Sequence, residues 1–124
     1  LNWYESRCLT EKIFIIISIS GEQIKMTDDV DKLESFFAEV IQKMDWQFTS
    51  HELLLRLAHD HQQEYVGALA SYMEKGTPFK DLHHELIKRL RKLDGQLITL
   101  RHKDYPSRDI FGVVSTAAVW RKKK

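Results

Sequence analysis

A chain of 124 residues, 43% hydrophobic and 30% charged, has room for one globular domain with an appended helix. One cysteine, Cys8, excludes an internal disulfide framework or a cysteine-based zinc cluster and suits a reducing, cytoplasmic compartment. The net charge of +1 conceals an asymmetry, since residues 1–76 hold 7 Lys/Arg against 13 Asp/Glu and residues 77–124 hold 12 against 5. An acidic partner is therefore expected at the C-terminal half, the alternative being that the halves neutralise one another across the fold.

Residues 1–25 differ from the rest. The run Ile13–Ile19 is apolar but shorter than the ~20 residues a membrane helix needs. Glu5, Arg7 and Glu11 upstream do not make a secretory signal. A buried strand is one reading of this run. The preferred expectation is a leader, non-native or disordered. Ser20-Gly21-Glu22 stands shortly before Met26, and codons for Gly-Glu can carry a ribosome-binding sequence.

From Met26 the pattern becomes orderly. Thr27 suits a helix cap, and Asp28, Asp29 and Asp31 place negative charge where the helix dipole favours it. Val30, Leu33, Phe37, Val40, Ile41 and Met44 then form the apolar face of one amphipathic helix reaching about Lys43. Its other face carries Asp31, Glu34 and Glu39. Such a helix is expected to pack on the main domain, or on a second copy in a homodimer formed through residues 28–44.

The strongest start signal is Thr49-Ser50-His51-Glu52, a capping box flanked by Phe48 and Leu53 as a hydrophobic staple. It predicts a helix from Ser50 to about His59 that buries Leu53, Leu54, Leu57 and Ala58. Asp60 and Gln63 suggest a second box, followed by a helix with Tyr65, Leu69, Tyr72 and Met73 on one face and Gly76 at its end.

Thr77–Gly95 is punctuated at both ends: Thr77 as cap, Pro78 at the first helical position, Asp94-Gly95 as a left-handed stop. Phe79, Leu82, Leu86, Ile87, Leu90 and Leu93 fall on one arc, with His83 inside it. The opposite arc carries Lys80, His84, Lys88, Arg91 and Lys92. The period then changes. Leu97–Arg101 and Ala117–Arg121 read as antiparallel strands joined by a long loop, His102 to Thr116. Within that loop Ile110-Phe111 and Val113-Val114 are expected to fold back on the core. Arg121–Lys124 ends the chain as a basic tail.

The fold class expected is mainly α with a C-terminal β-hairpin. Over roughly residues 49–122 this order resembles winged helix-turn-helix domains, here preceded by the helix of 26–46. The resemblance rests on element order and departs from the common form in two ways: no first strand is evident between the first two helices, and the wing loop is long. Asp81 and Glu85 beside the basic stripe would also oppose phosphate. It implies that the third helix reads base edges in the major groove of double-stranded DNA while the hairpin contacts phosphates. On this chain those contacts would come from Lys80, His84, Lys88, Arg91 and Lys92 on the helix. The wing would add Arg101, Lys103 and Arg108, and the tail Arg121 and Lys122. Transcription regulation would be the use of such a domain. The alternative from another class is a winged-helix module that binds protein, with Trp46, Tyr65, Tyr72 and Trp120 as interface candidates, although aromatics at these spacings are more often core.

Catalysis is not expected. The 5 glycines form no phosphate-binding fingerprint, and Cys8 has no evident activating partner. His59-Asp60-His61 looks like a metal motif, but helix residues two apart point in different directions. No cofactor or metal is implied, and His83 reads as a residue at the edge of the core.

Overall fold

The structure, a computed structural model, describes residues 24–123. The expectations for residues 1–23 and for Lys124 lie outside them. The elements run α1 (Ile24–Ser35), α2 (Phe37–Lys43), β1 (Gln47–Thr49), α3 (Ser50–Asp60), α4 (Gln62–Ala70), a 3-10 turn (Met73–Lys75), α5 (Pro78–Arg91), β2 (Ile98–Arg108) and β3 (Val114–Lys122). Five helices thus accompany a three-stranded antiparallel sheet of order β1-β3-β2, which fits the expected helices-plus-hairpin class. No helix among the described residues is long and apolar enough to cross a membrane.

The single amphipathic helix expected from Met26 is two helices. Thr27 lies inside α1 rather than at its cap. At the break the Ser35 hydroxyl donates to the Lys32 carbonyl, and Phe36 N–H reaches back only three residues, to Leu33. A serine hydroxyl that competes for a helix carbonyl favours a bend. The bend lets the Phe36 ring stack on His61 at 3.7 Å. Val30 and Leu33 of α1 and Phe37, Val40 and Ile41 of α2 are buried in the same core as the rest of the chain. The apolar side of residues 28–44 is therefore covered from within. Gly67 of α4 permits the approach of α1, because a Cβ there would collide with the Asp29 carboxylate.

A strand absent from the sequence expectation stands at Gln47–Thr49. It pairs with the C-terminal end of β3, Phe48 opposite Trp120 and Thr49 opposite Val119. Thr49 is at once the last strand residue and the cap of α3. Its hydroxyl accepts from Glu52 N–H at 3.1 Å, and Glu52 Oε1 accepts from Thr49 N–H at 3.3 Å, as the capping box predicts. Ser50 is also buried, and its hydroxyl accepts a 2.9 Å hydrogen bond from Trp120 Nε1. That bond satisfies the indole donor inside the core and fixes α3 to the central strand.

The second capping box does not form. The chain breaks at His61 (φ −131°), which precedes α4 without a side-chain cap bond. Asp60 is engaged elsewhere, by Arg56 at 2.9 Å, His59 at 3.0 Å and Lys43 at 3.6 Å. The hydrogen bonds from His59 and then Arg56 hold its carboxyl far below the usual carboxylate range. Tyr65 and Ala68 are buried, while Met73, expected on their face, is exposed beyond the helix end. Gly76 takes the left-handed conformation expected of it, φ +83°.

α5 buries Leu82, Leu86 and Leu90. Thr77 makes no cap bond to the backbone. Its hydroxyl lies 3.4 Å from Asp81 Oδ2 instead. The last turn tightens to three-residue hydrogen bonds through Lys92, Leu93 and Asp94, a common way to satisfy terminal carbonyls. Gly95 (φ +86°) then turns the chain into β2.

The hairpin is the largest departure from expectation. Strand pairing continues to Arg108 and Val114, so most of the expected loop is sheet and the connection is short. Eleven residues of β2 oppose nine of β3, the difference being taken up at two bulges between Leu100 and Tyr105. Each bulge adds twist and bends the strand. β2 alternates poorly, being exposed almost throughout after Ile98, which is why its length escapes a periodicity argument.

Two substitutions check this packing. Leu86, fully buried, should cost about 2–5 kcal/mol when cut to Ala. Ser50→Ala should cost about 1–3 kcal/mol by leaving the Trp120 indole donor unpaired. Urea denaturation measures both; a loss under half a kcal/mol for either would contradict the facing assigned here.

Candidate functional site

The burial of Leu82, Leu86 and Leu90 decides what α5 shows to solvent. At 100° per residue, Lys80, His84, Lys88 and Arg91 fall on the opposite side, and all four are exposed, as is Lys92 just beyond the helix end. Among the described residues no carboxylate forms an ion pair with Lys80, Lys88, Arg91 or Lys92. The five helix residues expected as a set from the sequence are therefore brought together on an open surface. Part of that charge also suits the negative end of the helix dipole.

One cation of α5 is turned away from this arc. Arg89 reaches α1 and binds Asp31 at 2.7 Å and Glu34 at 2.9 Å, with Glu85 of its own helix at 2.9 Å. Burial works against the Arg89 charge, but the hydrogen bonds to Asp31 and Glu85 and the charge of Glu34 outweigh it and raise its pKa. Glu85 is lowered, first by its bond to Arg89. The acidic and basic halves of the chain thus meet at this point. Beside it, Tyr72, Asp81, His84, Glu85 and Lys88 line a shallow, open depression of about 300 Å³.

The hairpin cations divide. Arg101 and Lys103 are exposed along the bulged stretch of β2. Arg108 is exposed, yet its guanidinium donates to the Gly112 carbonyl at 2.8 Å and closes the hairpin loop. Arg121 and Lys122 lie at the opposite end of the sheet and are half-buried. Arg121 Nε donates to Gln47 Oε1 at 2.8 Å, and Lys122 Nζ donates to the Gln42 carbonyl at 3.0 Å. These two hold β1 and the end of α2 to the central strand. They do not join the arc on α5.

A second cluster was not foreseen as a unit. The two bulges curl the hairpin so that its tip meets the N-terminal ends of α3 and α5. Phe111 sets its edge against Phe79 with ring centres 4.9 Å apart, and His51 Nδ1 lies 3.1 Å from the Ser107 hydroxyl. Behind this contact the Tyr65 hydroxyl lies 2.7 Å from His83 Nε2. Burial lowers the His83 pKa to about 4, the nearby His51 adding to the effect and Asp109 opposing it. Tyr65 and His83 share this hydrogen bond, and burial pushes the phenol up to about 12. His83 stands at the core edge as expected, and Ile110 packs against the core, but Phe111, Val113 and Val114, expected to fold back with it, are exposed.

The remaining histidines do not converge. His59 bonds Asp60, whereas His61 stacks on Phe36 and lies 3.6 Å from Glu39. Among the described residues no three His, Cys, Asp or Glu side chains are placed to hold a metal ion. Of the aromatic interface candidates, Tyr65 and Trp120 are core, Tyr72 is half-buried and Trp46 is exposed. No family model, curated protein or solved structure matches the chain.

His83 gives this cluster a pH signature. Its folded pKa of about 4 lies below the ordinary 6.5, so between those values the unfolded chain binds more protons. Its contribution should be complete above pH 6.5 and decline as pH falls toward 4. The stability of wild type minus that of His83→Gln, from urea midpoints at several pH values, should fall across that window. A flat difference would contradict a half-buried, neutral His83.

Proposed function

We propose that the protein binds double-stranded DNA as a winged helix-turn-helix, in the service of transcription regulation. α5 acts as the recognition helix and the β2–β3 hairpin as the wing. The observation that carries this reading is the exposed set Lys80, His84, Lys88 and Arg91 directly opposite the buried Leu82, Leu86 and Leu90. A helix so arranged is anchored from behind and offers cations and a hydrogen-bonding imidazole to a groove.

The topology supports the same reading. A short strand precedes α3, the hairpin follows α5 directly, and the first strand pairs with the last in the order β1-β3-β2. This strand order supports the reading, although β1 precedes α3 and no strand lies between α3 and α4, so that departure noted from the sequence remains. The other, the long wing loop, is reduced, because strand pairing to Arg108 and Val114 leaves a short connection. Arg101 and Lys103, exposed on β2, would supply the wing's phosphate contacts in this reading. Arg121 and Lys122, being engaged with Gln47 and Gln42, contribute little to this surface.

Lys80, Lys88 and Arg91 changed together to Glu should abolish binding in fluorescence anisotropy and leave the melting temperature within a few degrees. With about five phosphates neutralised, wild-type affinity should fall as roughly the 4.5 power of salt concentration, several-hundred-fold between 50 and 200 mM. Absence of wild-type binding at 50 mM salt and micromolar protein would overturn the proposal. The protein-interaction module would then be tested by pull-down.

A further inference from the structure

The hairpin tip is built with more care than a solvent loop needs. Asp109 Oδ1 accepts hydrogen bonds from Phe111 N–H at 2.9 Å and Val113 N–H at 3.0 Å. Gly112 supplies a φ of +81°, and Arg108 bonds its carbonyl. The loop is thereby fixed in one conformation, as an aspartate-led turn can do. What it holds up is apolar: Phe111 is 61% exposed, Val113 60% and Val114 67%.

Contact with Phe79 accounts for one edge of the Phe111 ring and leaves most of the side chain in water. An exposed apolar cluster on a rigid loop marks a surface for a partner. The partner's chemistry follows from the neighbours. Phe79 directly precedes Lys80, so the tip stands at the N-terminal end of the basic arc. Arg101 and Lys103 lie along the strand that leads to it. Lys80 beside the Phe79–Phe111 contact gives the tip a cation next to an aromatic point, which suits a ligand with anionic groups beside flat apolar faces. Nucleic acid has both, as phosphates and bases.

We propose that the hairpin tip is a wedge, Phe111 stacking on a base at one opened step of the duplex with Val113 and Val114 against the groove wall. This rests on the DNA-binding reading of α5 and specifies how the wing takes part. Apolar side chains inserted at base steps unstack and kink a duplex, and the extra protein surface then contacted repays the cost. A tip ordered in advance loses little freedom on insertion.

The test uses the full chain, wild type and Phe111→Ala, with duplexes carrying 2-aminopurine at successive steps. Stacking by an aromatic residue is worth roughly 5- to 100-fold in affinity, and F111A should lose that much at every salt concentration. The slope of log affinity against log salt should stay unchanged, because no charge is removed. Wild type should brighten 2-aminopurine at one step, and this signal depends on no variant being folded. Phe111→Trp should retain both effects. Binding by wild type without brightening, and with F111A equal in affinity, would overturn the wedge and leave DNA binding by α5 intact. No wild-type binding to any duplex would overturn both. Cosedimentation with anionic phosphatidylserine vesicles, lost in F111A and unaccompanied by brightening, would overturn the wedge in favour of a membrane surface.

Discussion

The burial of one side of α5 is the constraint on which the rest depends. Leu82, Leu86 and Leu90 are at most 1% exposed, and removing side chains of that size from water contributes about 1.5–3 kcal/mol each. No rotation of the helix keeps all three buried and hides the opposite arc. Lys80, His84, Lys88 and Arg91 therefore face solvent as a consequence of core packing. Arg89 sharpens this orientation. Its guanidinium can meet Asp31, Glu34 and Glu85 together only if α5 lies with that edge against α1. Exposed ion pairs contribute little singly, but a three-carboxylate clamp around one arginine sets rotation even where it adds modest stability.

The sheet positions the hairpin. Trp120, on the central strand, is paired with Phe48 on one side and Leu100 on the other, and its indole nitrogen is bonded to Ser50. From this fixed point the hairpin runs outward, and two bulges bring its tip back to Phe79 and His51. A straight hairpin of this length would have carried Phe111 away from α5. The bulges fall among Arg101, His102, Lys103 and Asp104, a polar stretch whose side chains require no burial on either side.

What could be read in the sequence was local. The Thr49–Glu52 box and the stripe on α5 depend on residues three or four apart. The box stands as expected, and the stripe does at Leu82, Leu86 and Leu90, while Phe79, expected with them, is exposed. β1 could not be read that way, since three residues make no period and its partners, Val119 to Arg121, are distant in the chain. The same holds for Phe111 on Phe79 and for Arg89 on Asp31. Asp60 misled because its carboxylate suits both a cap and an ion pair, and Arg56 and His59 decided for the second. The basic arc follows from helical spacing; the contact of Phe111 with Phe79 does not, because bulges leave no signature in a strand exposed on both faces.

The proposed role of α5 is tested most directly by titrating duplex DNA into isotope-labelled protein and following backbone amide shifts. Perturbations should concentrate at Lys80, His84, Lys88 and Arg91, extend to Phe111 and Val113, and spare α1 and α2. Shifts clustered instead on α1 and α2, or no shifts at low salt, would contradict a recognition surface formed by the free side of α5.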